Sequence, residues 1–349
     1  MSTILFPCDG AVLTQIPGTP QLPKLLTVQT DAPQGSLVNG IPVDCCGTAV
    51  VPVSGTAPKL SLATPEGEPL AEANLRFAAQ LCRKYRFTVD DNIQFLEDLT
   101  RNQNRYSSIF ENPYLAGFYR LHQRFGLKVT LNLFFSYYED SFSLRDMTAR
   151  FREEFLANSD WLRFSFHARH NDPPDPYANR PAQEILRDFD DVMEQVVRFA
   201  GRRCISDFMT VHYLLCTREA CLALQSRGVR GLMGFPSERD GSLTFTGYLE
   251  GTRAKQMGQV SLCQDADTGL YFIRNDMVIN ACPLEEIPGR LNAVEHSSAG
   301  TGYFDVMIHE QYFYRDYEAF QPDFFEKLQT VFSWLEQRGY SCVFLDDIL

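Results

Sequence analysis

The sequence predicts an α/β fold in which strands alternate with helices from about residue 76 onward, preceded by a β-rich N-terminal arm over 1–75. Three observations lead there. Seven short apolar runs, at 85–90, 127–135, 161–167, 205–213, 229–235, 304–309 and 340–345, are separated by stretches of helical period. The helical stretches carry start and stop residues. Residues 1–75 are rich in Pro, Gly, Thr and Val and show no helical period, so they read as a small module or arm.

Each element has a local reason. Leu25-Leu26-Thr27-Val28 and Thr48 to Val53 are β-like runs within the arm. Asn112-Pro113 opens a helix, with Asn as cap and Pro in the first turn, and Gly126 closes it. From Glu184 to Ala200, Ile185, Leu186, Phe189, Val192, Met193, Val196 and Val197 share one face, and Gly201 follows. Thr217 caps a helix that Gly228 ends, and the helix from Asp323 to Arg338 ends at Gly339. Successive strands joined through helices must pair in parallel, which allows either a closed or nearly closed barrel or an open doubly wound sheet. No Gly-x-Gly-x-x-Gly follows the first strand, which disfavours dinucleotide binding. The stretch 236–303 interrupts the alternation with β-like pieces at Leu243 to Phe245, Leu270 to Ile273 and Met277 to Ile279, and reads as an insertion on the rim of the site.

Composition narrows the partners. The chain of 349 residues is 44% hydrophobic and 22% charged, with a formal charge of −12. Nucleic acid is disfavoured, since phosphate binding needs a basic face. A small neutral substrate fits better than an anionic polymer. No run approaches a membrane span, and the N-terminal 18 residues lack a basic n-region and are broken by Pro7, Asp9 and Gly10, so a cytoplasmic protein is expected. The ten cysteines sit mostly in apolar runs and read as reduced, buried thiols; the adjacent Cys45 and Cys46 lack zinc-finger spacing. Ser107, Ser108, Ser165 and the cysteines show no nucleophile-elbow pattern.

Catalytic groups in such folds lie at the C-terminal ends of the strands. Those ends carry Asp90 and Asp91, then His167, then His212, then His309 and Glu310. A single histidine on a strand is more often a hydrogen-bonded core residue than a ligand, and an acid pair after a strand is often a helix cap, here for the helix from Ile93 to Leu99. Their joint placement favours chemistry: a cation held by Asp and His with a position left for water, beside a carboxylate that accepts a proton.

These residues resemble the motifs of the polysaccharide deacetylase (carbohydrate esterase) family. Thr88-Val89-Asp90-Asp91 is similar to that family's Thr-Phe-Asp-Asp, His167 to its strand-end histidine, and Val306-Met307-Ile308-His309 to its late apolar strand ending in histidine. The resemblance covers about residues 80–345 without the 236–303 stretch. It implies a seven-stranded distorted (β/α) barrel with Asp90 as general base, Asp91 and His167 as ligands of a divalent metal, zinc by preference, and His309 as general acid. The activity implied is removal of an acyl group from an amino sugar or related carbohydrate.

One departure stands out. The family's second histidine, four residues after the first, falls on Asn171, while His170 sits one residue early. His170, or Asp172 in the run Asp172-Pro173-Pro174-Asp175-Pro176, takes the third ligand position if that loop bends toward the site; alternatively His212 completes it. The family's Arg-x-Pro motif, which orients the base, has no match here. Glu310 reads as an acid or as the partner of a ligand histidine. Tyr312 and Tyr314, in the aromatic run after His309, and Asn92 beside the acid pair are candidate substrate contacts. Two other readings share the fold: a catalytically silent carbohydrate-binding barrel, and a hydrolase of a non-sugar amide.

Overall fold

The computed structural model describes residues 2–14, 24–137, 141–174, 176–239, 241–297 and 302–349. Its organisation follows from the strand Lys84–Asn92, which is almost wholly buried, as parallel strands covered on both faces are. The odd-numbered side chains face helices: Phe87 packs its ring against Phe118 and Phe332. The even-numbered ones face the opposite way. Arg86 pairs with Asp305 at 3.0 Å and donates to the Phe208 carbonyl of a different sheet at 3.2 Å. Arg86, Thr88 and Asp90 therefore line an interior enclosed between strands.

Five parallel strands run in the order Leu162–Ala168, Val129–Phe134, Lys84–Asn92, Tyr303–His309, Met277–Val278, with the short strand Ser341–Cys342 joined to the start of Lys84–Asn92. A second sheet holds Phe208–Met209, Gly231–Gly234 and Tyr271–Arg274 in parallel, with Leu262–Gln264 antiparallel at its edge. The sheets meet on both sides. Phe164 bridges Ile205, and beyond Arg274 the amides of Asn275 and Asp276 reach the carbonyls of Gly234 and Asp305 at 2.6 and 2.8 Å. Among the described residues the ladders thus form two abutting sheets, not one closed barrel.

Two expected strands change. The run 205–213 supplies only Phe208–Met209, because the chain turns sharply where Tyr213 and Leu214 take left-handed φ of 57° and 72°. The run 340–345 pairs only Ser341 and Cys342 with Lys84 and Tyr85, after which Leu345 is buried beside Tyr303 and Met307 at the base of the interior. Meanwhile the stretch 236–303, expected on the rim, supplies Tyr271–Arg274 and Met277–Val278 to the two sheets. These pieces are too short for their period to separate a sheet strand from a loop.

The helix signals hold. The Asn112 side chain accepts from Leu115 N, Pro113 occupies the first turn of Pro113–Phe125, and Gly126 closes it at φ 63°. Thr217 accepts from Ala220 N at the start of Arg218–Ser226. The helix Ala182–Phe199 buries Ile185, Phe189, Val192 and Val196. Helices Pro113–Phe125 and Phe324–Gln337 touch at Gly117, where a Cβ would lie 1.9 Å from the Phe325 ring. The helix Gln94–Arg101 is capped differently from expectation: neither Asp90 nor Asp91 bonds its first turn. The buried Glu310 carboxylate accepts from the amides of Ile93, Gln94 and Phe95 at 2.6, 3.0 and 2.8 Å. Those are the orphan donors of a helix start, and a carboxylate suits its positive end.

The N-terminal residues form two antiparallel sheets, Ile4–Phe6, Lys24–Thr30 and Thr48–Val53 in one, and Leu37–Val38, Ile41–Pro42, Lys59–Ala63 and Pro69–Asn74 in the other. Gly10 connects them to the second sheet of the α/β part by accepting from Gln264 N at 2.9 Å, at a spot where a Cβ would lie 2.0 Å from Gln264 O. Cysteines 8, 204, 216, 221, 263, 282 and 342 are buried thiols, Cys82 is half-buried, and Cys45 and Cys46 are exposed. No helix among the described residues is long and apolar enough to cross a membrane.

Candidate metal centre

The parallel register sets Asp90 directly opposite His309 at the ends of neighbouring strands. One residue further, Asp91 adopts φ 63°, a left-handed conformation that an aspartate tolerates better than most residues. The turn directs its carboxylate toward the end of the strand Leu162–Ala168, where His167 lies. Tyr213 and Leu214, next to His212, are left-handed as well. Three of the five described non-glycine residues with positive φ therefore sit around one spot, which is where strained backbone tends to gather at functional sites.

There Asp91 Oδ1 lies 3.0 Å from His167 Nε2 and 3.5 Å from His212 Nδ1, and the two imidazole nitrogens are 2.9 Å apart. All three residues are buried. A tetrahedral cation with bonds of about 2.0–2.2 Å holds its ligand atoms about 3.3–3.6 Å apart, so the triangle is near the size of one face of such a site. The other ring nitrogens have main-chain partners. His167 Nδ1 meets Thr210 O at 2.6 Å, and His212 Nε2 meets Asn171 O at 3.3 Å. A carbonyl only accepts, so each of these nitrogens carries the hydrogen, and the lone pairs of His167 Nε2 and His212 Nδ1 face Asp91. Three electron-rich atoms that close require a cation among them, either a proton or a metal ion. The donor set, one carboxylate oxygen and two imidazoles with a direction left open, fits a divalent metal.

The electrostatics express the proton alternative at His167 and leave His212 uncharged. Burial acts to raise the Asp91 pKa, but the His167 hydrogen bond and the neighbouring histidines outweigh it and hold the carboxyl well below the usual carboxylate range. Burial lowers His167, yet Asp90 and Asp91 together leave it raised. Burial and the His167 charge push His212 down to about 3, which leaves it neutral and able to ligate. Asp90 is raised above an ordinary aspartate, first by burial, with His167, His309 and Asn132 opposing.

The remaining predicted residues separate into two groups. Asp90 lies beside the cluster, its Oδ1 accepting from Asn132 Nδ2 at 2.6 Å, and His309, half-buried, is fixed by Asn280 Oδ1 at 2.9 Å from its Nδ1. His170 and Asp172 do not join the ligand triangle; Asp172 is exposed, and Asp175 of the same run lies outside the described residues. Position 171, where a histidine was expected, contributes its carbonyl instead of a side chain, and His212 supplies the third corner of the triangle. Glu310 is the cap of a helix and also accepts from Tyr314 OH at 3.0 Å, which turns Tyr314 inward. Asn92 is wholly buried, bonded to the Val89 and Asn132 carbonyls and to Tyr114 OH. Tyr312 stays half-buried, its ring centroid 6.1 Å from that of His309.

Sequence reasoning missed the residues that hold these groups. Gln311 Nε2 donates to Asp91 Oδ2 at 2.7 Å, leaving Oδ1 for the histidines. Asn132 fixes the Asp90 carboxylate, and Asn280 fixes the His309 ring. A readable sign existed in one case, the lone Asn within the apolar run Val129–Phe134.

No family model matches this sequence, and no curated protein matches it. Among solved structures, the Bc1960 peptidoglycan N-acetylglucosamine deacetylase is 11% identical over 78% of this chain and 90% of its own, at a TM-score of 0.39. A Streptococcus mutans CE4 esterase is 9% identical over 74% and 84% of the two chains, at 0.39. The 4-alpha-glucanotransferase from Thermococcus litoralis is 8% identical over 76% of this chain and 40% of its own, at 0.44. Likeness at this level carries no functional information.

Proposed function

We propose that this chain is a metal-dependent hydrolase that removes an acyl group from an amino sugar or a related small carbohydrate. The observation that carries the reading is the convergence of Asp91 Oδ1, His167 Nε2 and His212 Nδ1 with both histidine tautomers fixed so that their lone pairs meet. The motif order Thr88-Val89-Asp90-Asp91, His167, His309 supports acyl hydrolysis in particular.

In this reading Asp91, His167 and His212 hold the ion, zinc by preference. When bound, the ion would polarise the substrate carbonyl and lower the pKa of water. Asp90, raised by burial and aimed by Asn132, accepts the proton of the attacking water. His309, held through Nδ1 by Asn280, presents Nε2 for protonating the departing nitrogen or oxygen. Gln311 keeps Asp91 from rotating out of position.

The test is turnover on a panel of N-acetylated sugars and simple amides, with and without chelator. Chelator-sensitive release of acetate from the sugars, lost in Asp90→Asn, supports the reading. Metal-replete protein that releases none, or that prefers the non-sugar amides, overturns it.

A further inference from the structure

Below the Asp91-His167-His212 cluster the interior carries polar groups whose bonding capacity the site leaves unused. Thr88, Thr130 and Asn132 are 0%, 1% and 0% exposed. Thr88 and Thr130 are direct neighbours across the parallel ladder, and Asn132 follows Thr130 on the same face. Adjacent strands are about 4.8 Å apart, and alternate residues along a strand about 6.6 Å. The three side chains are therefore close enough for one water molecule to reach all of them. The Thr88 and Thr130 hydroxyls and the Asn132 carbonyl oxygen have no hydrogen-bond partner among the described residues. Nearby groups are otherwise engaged: Asn132 Nδ2 donates to Asp90 and Thr210, Ser165 Oγ donates to Ser206 O at 3.3 Å, and Arg86 is spent on Asp305 and Phe208. Met307, facing Thr88 from the other side, offers no donor.

Leaving one such group buried without a partner costs about 1–3 kcal/mol, and three together is rare in a native interior. Buried water makes about three hydrogen bonds and belongs where otherwise unsatisfied polar atoms converge. We propose that at least one long-lived water molecule binds between Thr88, Thr130 and Asn132, donating to Asn132 Oδ1 and bonding both threonine hydroxyls. The water fixes which way the Asn132 amide faces. With Oδ1 bound below, Nδ2 is turned up toward Asp90; the opposite orientation would set a carbonyl oxygen against the Asp90 carboxylate. Thr88 and Thr130 are thus positioning residues for Asp90, acting through water and Asn132. This holds whatever reaction the site performs.

Thr→Val exchanges a hydroxyl for a methyl of nearly the same shape, so its sign separates the two cases. With the water present, Thr88→Val and Thr130→Val each lower the urea midpoint and shift the Asn132 side-chain amide resonances. If the space is dry, replacing an unpaired hydroxyl with a methyl leaves the midpoint unchanged or raises it, and the proposal is overturned; unmoved Asn132 resonances overturn the positioning. A direct measurement covers the event that a valine variant does not fold. In the unaltered protein, the Thr88 and Thr130 methyl groups show nuclear Overhauser contacts to a slowly exchanging water, and their absence rules the water out.

Discussion

His212 Nδ1 lies 2.9 Å from His167 Nε2, with the far nitrogen of each ring tied to a main-chain carbonyl. The two lone pairs face each other, and Asp91 completes the triangle. In the proposed reading His212 does the work expected of a histidine at 171, while Asn171 contributes only backbone. Replacing the two should therefore have opposite outcomes. Asn171→Ala leaves zinc affinity unchanged within about threefold, while His212→Ala lowers it by at least about a hundredfold, the range in which losing even an outer partner already weakens a site. Competition titration with a chromophoric chelator reads both.

Asp90 is a neighbour of the cluster and not a corner of it. Asp90→Asn keeps the shape and the Asn132 contact, so folding and metal binding persist. The rate falls by about 10²–10⁴, the usual contribution of a positioned base. Steady-state kinetics with metal analysis on the same preparation would show the separation.

Glu310 is buried, and its carboxyl is pushed up to about 7 by that burial, against the amides of Ile93, Phe95 and Gln94. The folded chain holds this proton to a higher pH than the unfolded chain does. Its contribution to stability is therefore present at low pH and declines as pH rises from about 4.5 toward 7, by up to about 1.4 kcal/mol per unit. Glu310→Gln keeps one acceptor for the helix start but cannot titrate. The unaltered protein should exceed this variant in denaturation midpoint most at pH 5, with the gap narrowing toward pH 8. A gap that widens with pH would contradict the burial-dominated pKa.

Gly117 is set by packing. In Gly117→Ala the new methyl meets the Phe325 ring, which must move along with the Phe118 and Phe313 rings packed on it. A loss of about 1–3 kcal/mol is expected, the ordinary cost of overfilling a core. Thermal denaturation measures it, and an unchanged midpoint would show that Phe325 is free to yield.

How much of this was legible in the sequence depends on whether a feature is local. Helix starts at Asn112 and Thr217 and the stop at Gly126 are set by residues within four positions, and they read correctly. Asp90, Asp91, His167 and His309 came from strand ends, because an apolar run fixes where a strand stops. The third corner of the cluster stayed ambiguous among His170, Asp172 and His212, since it depends on how the chain turns at Tyr213 and Leu214, and that strain has no sequence signature. Glu310 shows the opposite failure. Its type fits catalysis, but its role is decided by the helix start more than two hundred residues away in sequence. The strand pieces Tyr271–Arg274 and Met277–Val278 were legible as β but not as part of the two sheets, because register across a sheet is a tertiary property.

In the proposed reading Asp91, His167 and His212 form one metal site, and calorimetric titration of zinc into chelator-stripped protein reads out whether they do. The expected result is one equivalent bound per chain, with binding abolished in both His167→Ala and His212→Ala while circular dichroism shows the fold retained. Absence of stoichiometric binding in the unaltered chain, or equal binding in all three proteins, would contradict it.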